Sequence, residues 1–306
     1  MQSSDTRSAS SNLVPILLLV IVMVSIQSGA AMAKQLFPVV GAAGATTLRL
    51  VFAAIILGAV LRPWRTRMAR AEWRSVIIYG IALAGLNGLL YASLQTIPLG
   101  IATALEFTGP LAVATLGSRR LTDFAWIGLA VAGLALLLPV GITSSALDPL
   151  GVAYALGAGV CWALYIVFGQ KAGAEHGVAV TAWGAMIAAA CVLPIGIAVA
   201  GETLLTPGII PLAIAVAVLS TAFPYALEMI SMSRLPTKTF GTLLSLEPAL
   251  AALSGLVFLH ERLAPIQWMA IGAIVAACAG ATATALQAKG SAPISDPIAG
   301  TLGDQS

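Results

Sequence analysis

Two carboxylates stand where a carboxylate is expensive. Glu106 lies inside Ile97 to Gly117, IPLGIATALEFTGPLAVATLG, and Glu247 inside Leu235 to Leu259, LPTKTFGTLLSLEPALAALSGLVFL, each several residues from either end of an apolar run. At the centre of a membrane helix an ionisable side chain costs about 2.5–3.5 kcal/mol on insertion scales, so each one calls for a reason. The prolines sharpen the pattern. Pro110 has no N–H for the carbonyl four residues earlier, which frees the carbonyl of Glu106 itself, and Pro248 frees that of Leu244. A freed carbonyl at membrane depth is tolerated where it lines a cavity or where neighbours satisfy it. A carboxylate and a free carbonyl on one residue offer acceptors to an ammonium group; the plainer alternative is a pair of packing kinks.

Other groups accompany these two. Lys34, Arg49 and Glu228 are ionisable and close to the ends of their apolar runs, where two readings stand: they snorkel to the headgroups or form a structural pair, or they face a polar path. On the second reading Lys34 holds a substrate carboxylate near one mouth of a cavity. Gln27, Asn87, Tyr91, Trp162, Tyr165 and Tyr225 lie within apolar runs, and buried amides and aromatic polar tips seek hydrogen-bond partners, as glue between helices or along a half-polar cavity. Gly241, Ser245, Ala252 and Gly255 form a small-residue stripe that reads as a close-packing face.

The elements that must hold these groups are read from hydropathy. With 59% hydrophobic and 9% charged residues and a mean hydropathy of +0.99, the chain lies far outside soluble globular usage. Apolar runs fall at 13–33, 45–62, 75–94, 98–118, 124–142, 150–170, 180–200, 209–230, 238–259 and 265–286. Each is close to the roughly 20 residues that carry a helix across a bilayer, without the alternation of a barrel. The fold class is therefore an all-α integral membrane protein of ten transmembrane helices. The run at 13–33 ends GAAMA like a signal peptide, but its weak charged start and its length place it as the first span.

The runs repeat. Pro98 and Pro110 recur as Pro236 and Pro248, a shift of 138, and Lys34 after the first run recurs as Lys171 after the sixth, a shift of 137. Two anchor pairs at nearly one offset indicate an internal duplication. Residues 13–142 form one five-helix repeat and 150–286 a second, between polar tails at 1–12 and 287–306 that are expected to be disordered. An odd number of crossings per half makes the repeats inverted. Arg62, Arg65, Arg67, Arg70 and Arg74, with Arg119 and Arg120, fall in loops on the side of the N-terminus, which places both termini in the cytoplasm.

Several function classes drop out. The basic residues follow membrane orientation, so no nucleic-acid partner is implied. Cys161, Cys191 and Cys278 have no ligand spacing, and His176 and His260 form no HExxH motif, so neither a metal nor another cofactor is called for. No GxxxxGK[ST] loop is present for ATP. An intramembrane enzyme would need a nucleophile–base pair or an acidic metal cluster, and neither is found.

Ten spans in two halves, Lys34 after the first, Arg49 opening the second and LEPALAALSGLVFL in the ninth together resemble the EamA-type drug/metabolite transporter superfamily. The strings IPLGIATALEFTGPLAV, GAGVCWALYI, GQKAGAEHG and STAFPYALEMI resemble its amino-acid-exporting branch in the bacterial inner membrane. LHERL at 259–263 departs from the family, which commonly has Gly before the Glu. The resemblance covers nearly the whole chain apart from the tails. It implies secondary export of L-threonine and L-homoserine driven by the proton motive force, through a cavity walled by spans 1, 3, 4, 6, 8 and 9. A broader amino-acid or metabolite exporter is the alternative it leaves open.

Overall fold

The computed structural model describes residues 5–115, 121–137, 147–177, 179–224 and 246–290, and every regular element among them is helical. In chain order the α-helices are α1 (Asp5–Lys34), α2 (Phe37–Leu61), α3 (Arg70–Ser93), α4 (Leu99–Glu106), α5 (Thr108–Thr115), α6 (Leu121–Leu137), α7 (Pro149–His176), α8 (Ala179–Ala200), α9 (Ile210–Ala217), α10 (Glu247–Leu259) and α11 (Pro265–Gly290). Four stretches, Phe37–Leu61, Glu72–Ser93, Pro149–Gly173 and Ala179–Leu205, are long and apolar enough to cross a membrane. Six shorter apolar helices occupy the positions of the remaining expected spans.

Several boundaries differ from the sequence reading, each for a local reason. α1 begins at Asp5, inside the stretch expected to be disordered, and α11 continues to Gly290, because extending an existing helix adds one hydrogen bond per residue fixed. α2 opens at Phe37, well before residue 45, with Pro38 in its first turn, where the missing N–H costs nothing. It passes through Gly41 at φ 68°, a left-handed conformation that glycine adopts without penalty. The C-terminal cap of α10 is His260, φ 55°, a left-handed conformation that glycine adopts more readily.

Pro110 has the local effect its chemistry dictates. α4 stops at Glu106, Phe107 forms a turn, and α5 starts at Thr108, whose hydroxyl donates to the carbonyl of Leu105 at 2.6 Å. The backbone then resumes with Leu111 N–H donating to the Phe107 carbonyl at 3.2 Å. Pro248 lies in the first turn of α10, so within the described residues it opens a helix and does not kink one. Leu244, with Gly241 and Ser245 of the small-residue stripe, lies outside the described residues.

Helices in lipid gain little from hiding apolar surface from one another, so close packing of small residues carries much of their association. α4 lies on α10 where a Cβ on Gly100 would collide with the backbone of Ala252, and α5 crosses α7 with Gly109 against the carbonyl of Gly159. The wider pattern pairs α2 with α8, α6 with α11, α3 with α7 and α8, α1 with α10, and α9 with α2. After α9 the chain makes a π turn, Val218–Ala222, which packs on α1, and Ser25 of α1 donates to the Leu219 carbonyl within it at 2.6 Å.

The two ends of the bundle are tied by polar contacts. At one end Lys34 Nζ meets Glu261 Oε1 at 2.6 Å, while Glu261 Oε2 accepts the Leu99 N–H at 2.9 Å. Asp148 caps α7 by accepting from Gly151 N–H at 3.1 Å; the Thr96 hydroxyl, with the first amides of α7, holds its carboxyl below the usual range. At the other end His176 Nε2 lies 2.8 Å from Glu72 Oε2, and the same oxygen accepts the Ala69 N–H at 2.6 Å.

Candidate functional site

The centre of the bundle holds a buried charged group. Arg49 is buried on α2, eight residues past the kink at Gly41, which puts it roughly 12 Å along the continuous part of the helix at 1.5 Å per residue. The snorkelling reading therefore fails, because it placed Arg49 at the opening of its helix. Instead the guanidinium is spread over three acceptors. Nε donates to Thr221 Oγ1 at 3.0 Å, Nη1 to the Tyr91 hydroxyl at 2.8 Å, and Nη2 to Asn87 Oδ1 at 2.6 Å. Asn87 is fixed in turn by its Nδ2, which donates to the Leu83 carbonyl at 2.7 Å. The Arg49 guanidinium also lies 5.1 Å from the centroid of the Tyr91 ring, within cation–π range.

The local sequence explains how this is reached. Asn87 and Tyr91 are four residues apart on α3, so they share one face. Thr221 falls in the π turn, where the wider helix brings its hydroxyl toward α2. A planar guanidinium with five fixed donors is the side chain suited to bridging such divergent acceptors.

The two carboxylates complete the cluster. Glu106 is buried at the end of α4, within electrostatic reach of both Glu247 and Arg49, and among the described residues no side chain or amide donates to its carboxyl. Glu247, buried at the start of α10, accepts from Gln27 Nε2 of α1 at 2.9 Å. The carbonyl of Glu106 faces α7 at Gly159, where a Cβ would come within 2.7 Å of the oxygen. Next to it, the Phe107 ring meets Trp162 of α7 edge to face, with centroids 4.9 Å apart. Residues of spans 1, 3, 4, 8 and 9 thus surround the site, with Trp162 of the sixth beside it; α2 is added through Arg49.

Other sequence candidates fall elsewhere. Lys34 is engaged by Glu261 two turns beyond Gln27 on α1, roughly 10 Å along the axis from the level of the Gln27–Glu247 contact. Tyr165 stacks on Tyr79 at 4.7 Å, toward the arginine-rich end. Tyr225 and Glu228 lie outside the described residues. The partners that sequence reasoning missed are Thr221 and the role of Arg49; the signal for Arg49 was the Phe37–Pro38 helix start, which makes its depth visible.

A bundle of apolar helices that buries a guanidinium, two carboxylates and their amide and hydroxyl partners has the makings of a membrane carrier for a small charged solute. The chain belongs to the EamA-like transporter family, whose model matches residues 149–283, and it is a multi-pass membrane protein of a transporter family, not an enzyme. Among its relatives, the threonine/homoserine exporter RhtA of Escherichia coli (strain K12) is 58% identical over 270 residues, covering 88% of this chain and 92% of that protein. The threonine/homoserine exporter RhtA of Salmonella typhimurium (strain LT2) shows the same 58% identity and the same coverage. A solved crystal structure only 18% identical shares the fold, with a TM-score of 0.60 over 92% of this chain and 99% of that one.

Proposed function

We propose that this protein is a secondary active exporter of L-threonine and L-homoserine across the bacterial inner membrane, driven by the proton motive force. The observation that carries the reading is the pairing of a buried guanidinium with two buried carboxylates in one cluster. A zwitterionic amino acid presents one group of each sign. Its carboxylate is taken by Arg49, whose fork binds carboxylates in two-point geometry, and its ammonium by Glu106, with Glu247 beside it. The amide and hydroxyls of Asn87, Tyr91 and Thr221 are within reach of a substrate hydroxyl once Arg49 turns to the carboxylate.

Coupling follows from competition at one group. A proton on Glu106 and an ammonium beside it each neutralise the same carboxylate, so the two exclude each other, and a site that exchanges them while alternating sides is an antiporter.

The architecture proposed is ten spans in two inverted repeats, 13–142 and 150–286, with both termini cytoplasmic. The helix pairing supports it: α2 with α8, α4 with α10 and α6 with α11 join counterparts, while α3 on α7 is answered by α1 on α9 and the π turn. Lys34 and Lys171, equivalent under the repeat, also lie at opposite ends of the bundle, as inversion requires.

Counterflow of labelled threonine into proteoliposomes loaded with threonine or homoserine tests the function. Uptake by the protein-containing vesicles alone is expected; its absence in sealed, correctly inserted vesicles rejects the substrate assignment, and equal counterflow of unrelated amino acids replaces it with a broader exporter. A reporter fused after Arg70 should report the cytoplasm.

A further inference from the structure

The geometry points to a binding site for a phosphate group at the arginine-rich end of the bundle, where Arg70 and Arg74 of α3 and Lys171 of α7 converge on one cavity. The phosphate is that of a phospholipid headgroup or free inorganic phosphate. The cavity has a volume of about 590 Å3 and is lined by Arg70, Arg74, Ser75, Phe168 and Lys171. That is within the roughly 300–1,000 Å3 of small-molecule sites.

Arg70 and Arg74 are one turn apart and therefore share a face of α3, while Lys171 comes from the facing helix. Among the described residues none of the three is in an ion pair. The neighbouring acid, Glu72, is already committed to His176 and to the Ala69 amide. All three residues are exposed at the rim, where solvent screens their mutual repulsion but like charges around one space still favour an anion between them. Orientation in the membrane accounts for cations at this end, Lys171 included, but not for their lining one cavity from two helices.

The surroundings set the depth. Trp73, between the two arginines in sequence, packs edge to face on Trp183 of α8 with centroids 4.9 Å apart. Tryptophan pairs of this kind favour the level of the headgroups. Phe168 supplies an apolar wall and the buried Ser75 a hydroxyl, so the cavity offers charge, one neutral hydrogen-bonding group and a greasy side. Basic pockets between membrane helices take lipid phosphates by this chemistry.

The test uses the full chain, purified and delipidated in detergent and titrated by native mass spectrometry with dioctanoyl phosphatidylglycerol, dioctanoyl phosphatidylcholine and inorganic phosphate. Wild type should prefer phosphatidylglycerol or phosphate over phosphatidylcholine. R70Q/R74Q/K171Q should weaken that binding on the order of 100-fold, at about fivefold per cation. R62Q/R65Q/R67Q, which removes the same charge from the same end, should change it less than about threefold, since those residues do not line the cavity. Lys171→Gln alone, on an exposed side chain, should lose about fivefold with unchanged melting, which keeps the test valid should the triple variant not fold. Tighter binding of phosphatidylglycerol than of phosphate assigns the site to lipid, and equal or tighter binding of phosphate to a soluble anion. Equal losses in both triple variants, or no preference over phosphatidylcholine in wild type, overturn the site.

Discussion

Replacing Arg49 by lysine separates the geometry of the central cation from its charge. In the structure three different guanidinium nitrogens serve three acceptors, at 3.0, 2.8 and 2.6 Å, on α3 and on the π turn. The single nitrogen of a lysine on the same backbone cannot reach acceptors that diverge in this way, so about two of the three charge-assisted bonds are lost. Such bonds contribute roughly 1.5–3 kcal/mol each. The abandoned hydroxyls of Tyr91 and Thr221 can turn to other partners, so the lower end applies, about 3 kcal/mol in all. That corresponds to on the order of 100-fold in an equilibrium constant. The expected result for Arg49→Lys is an inserted protein that melts earlier in detergent and shows a KM for threonine counterflow raised by one to two orders of magnitude. Tyr91→Phe, which removes one bond and keeps the ring beneath the cation, should show a smaller change of about tenfold. Wild-type melting together with a wild-type KM in Arg49→Lys, at matched protein content, would refute the claim that the guanidinium fork organises this site.

Glu106→Gln keeps shape but cannot exchange a proton, so pH-driven threonine efflux should vanish while insertion is unchanged, and Glu247→Gln should be milder; efflux measured against external pH decides, and a Glu106→Gln carrier with wild-type pH dependence would move the role elsewhere. Gly159→Ala puts a methyl 2.7 Å from the Glu106 carbonyl oxygen, an overpacking worth about 1–3 kcal/mol that should appear as earlier melting, whereas Gly173→Ala on the same helix, with open space around it, should not. Lys34→Ala should reduce transport more than Lys171→Ala, because it cuts the contact between α1 and Glu261, the carboxylate that holds the start of α4; equal transport rates at matched expression would rule that out.

Much of this protein follows from composition and periodicity alone. Apolar runs of membrane length must become helices, since only an intrasegment hydrogen-bond pattern satisfies the backbone in lipid, and the positions of the four membrane-length helices and six shorter apolar ones among the described residues were therefore legible. So was the break after Glu106, because a proline's missing N–H acts on residues four positions away on the same strand of chain. Glu106, Glu247, Asn87 and Tyr91 could be picked out as polar groups at depth by the cost of leaving them unpartnered.

What each group partners was decided by tertiary structure. Gln27 and Glu247 are 220 residues apart, Lys34 and Glu261 227, and Arg49 and Thr221 172. No local period links such pairs; they meet because small-residue contacts such as Gly100 on Ala252 set how close and at what height neighbouring helices cross. The same heights divide groups that look alike in sequence. Lys34 and Arg49 are both cations near the ends of apolar runs, yet one is placed at the rim against a turn carboxylate and the other at the centre among neutral acceptors. Hydropathy gives each residue an environment class, but the direction a side chain faces depends on helix start, kink and crossing, and these are fixed only when the helices pack.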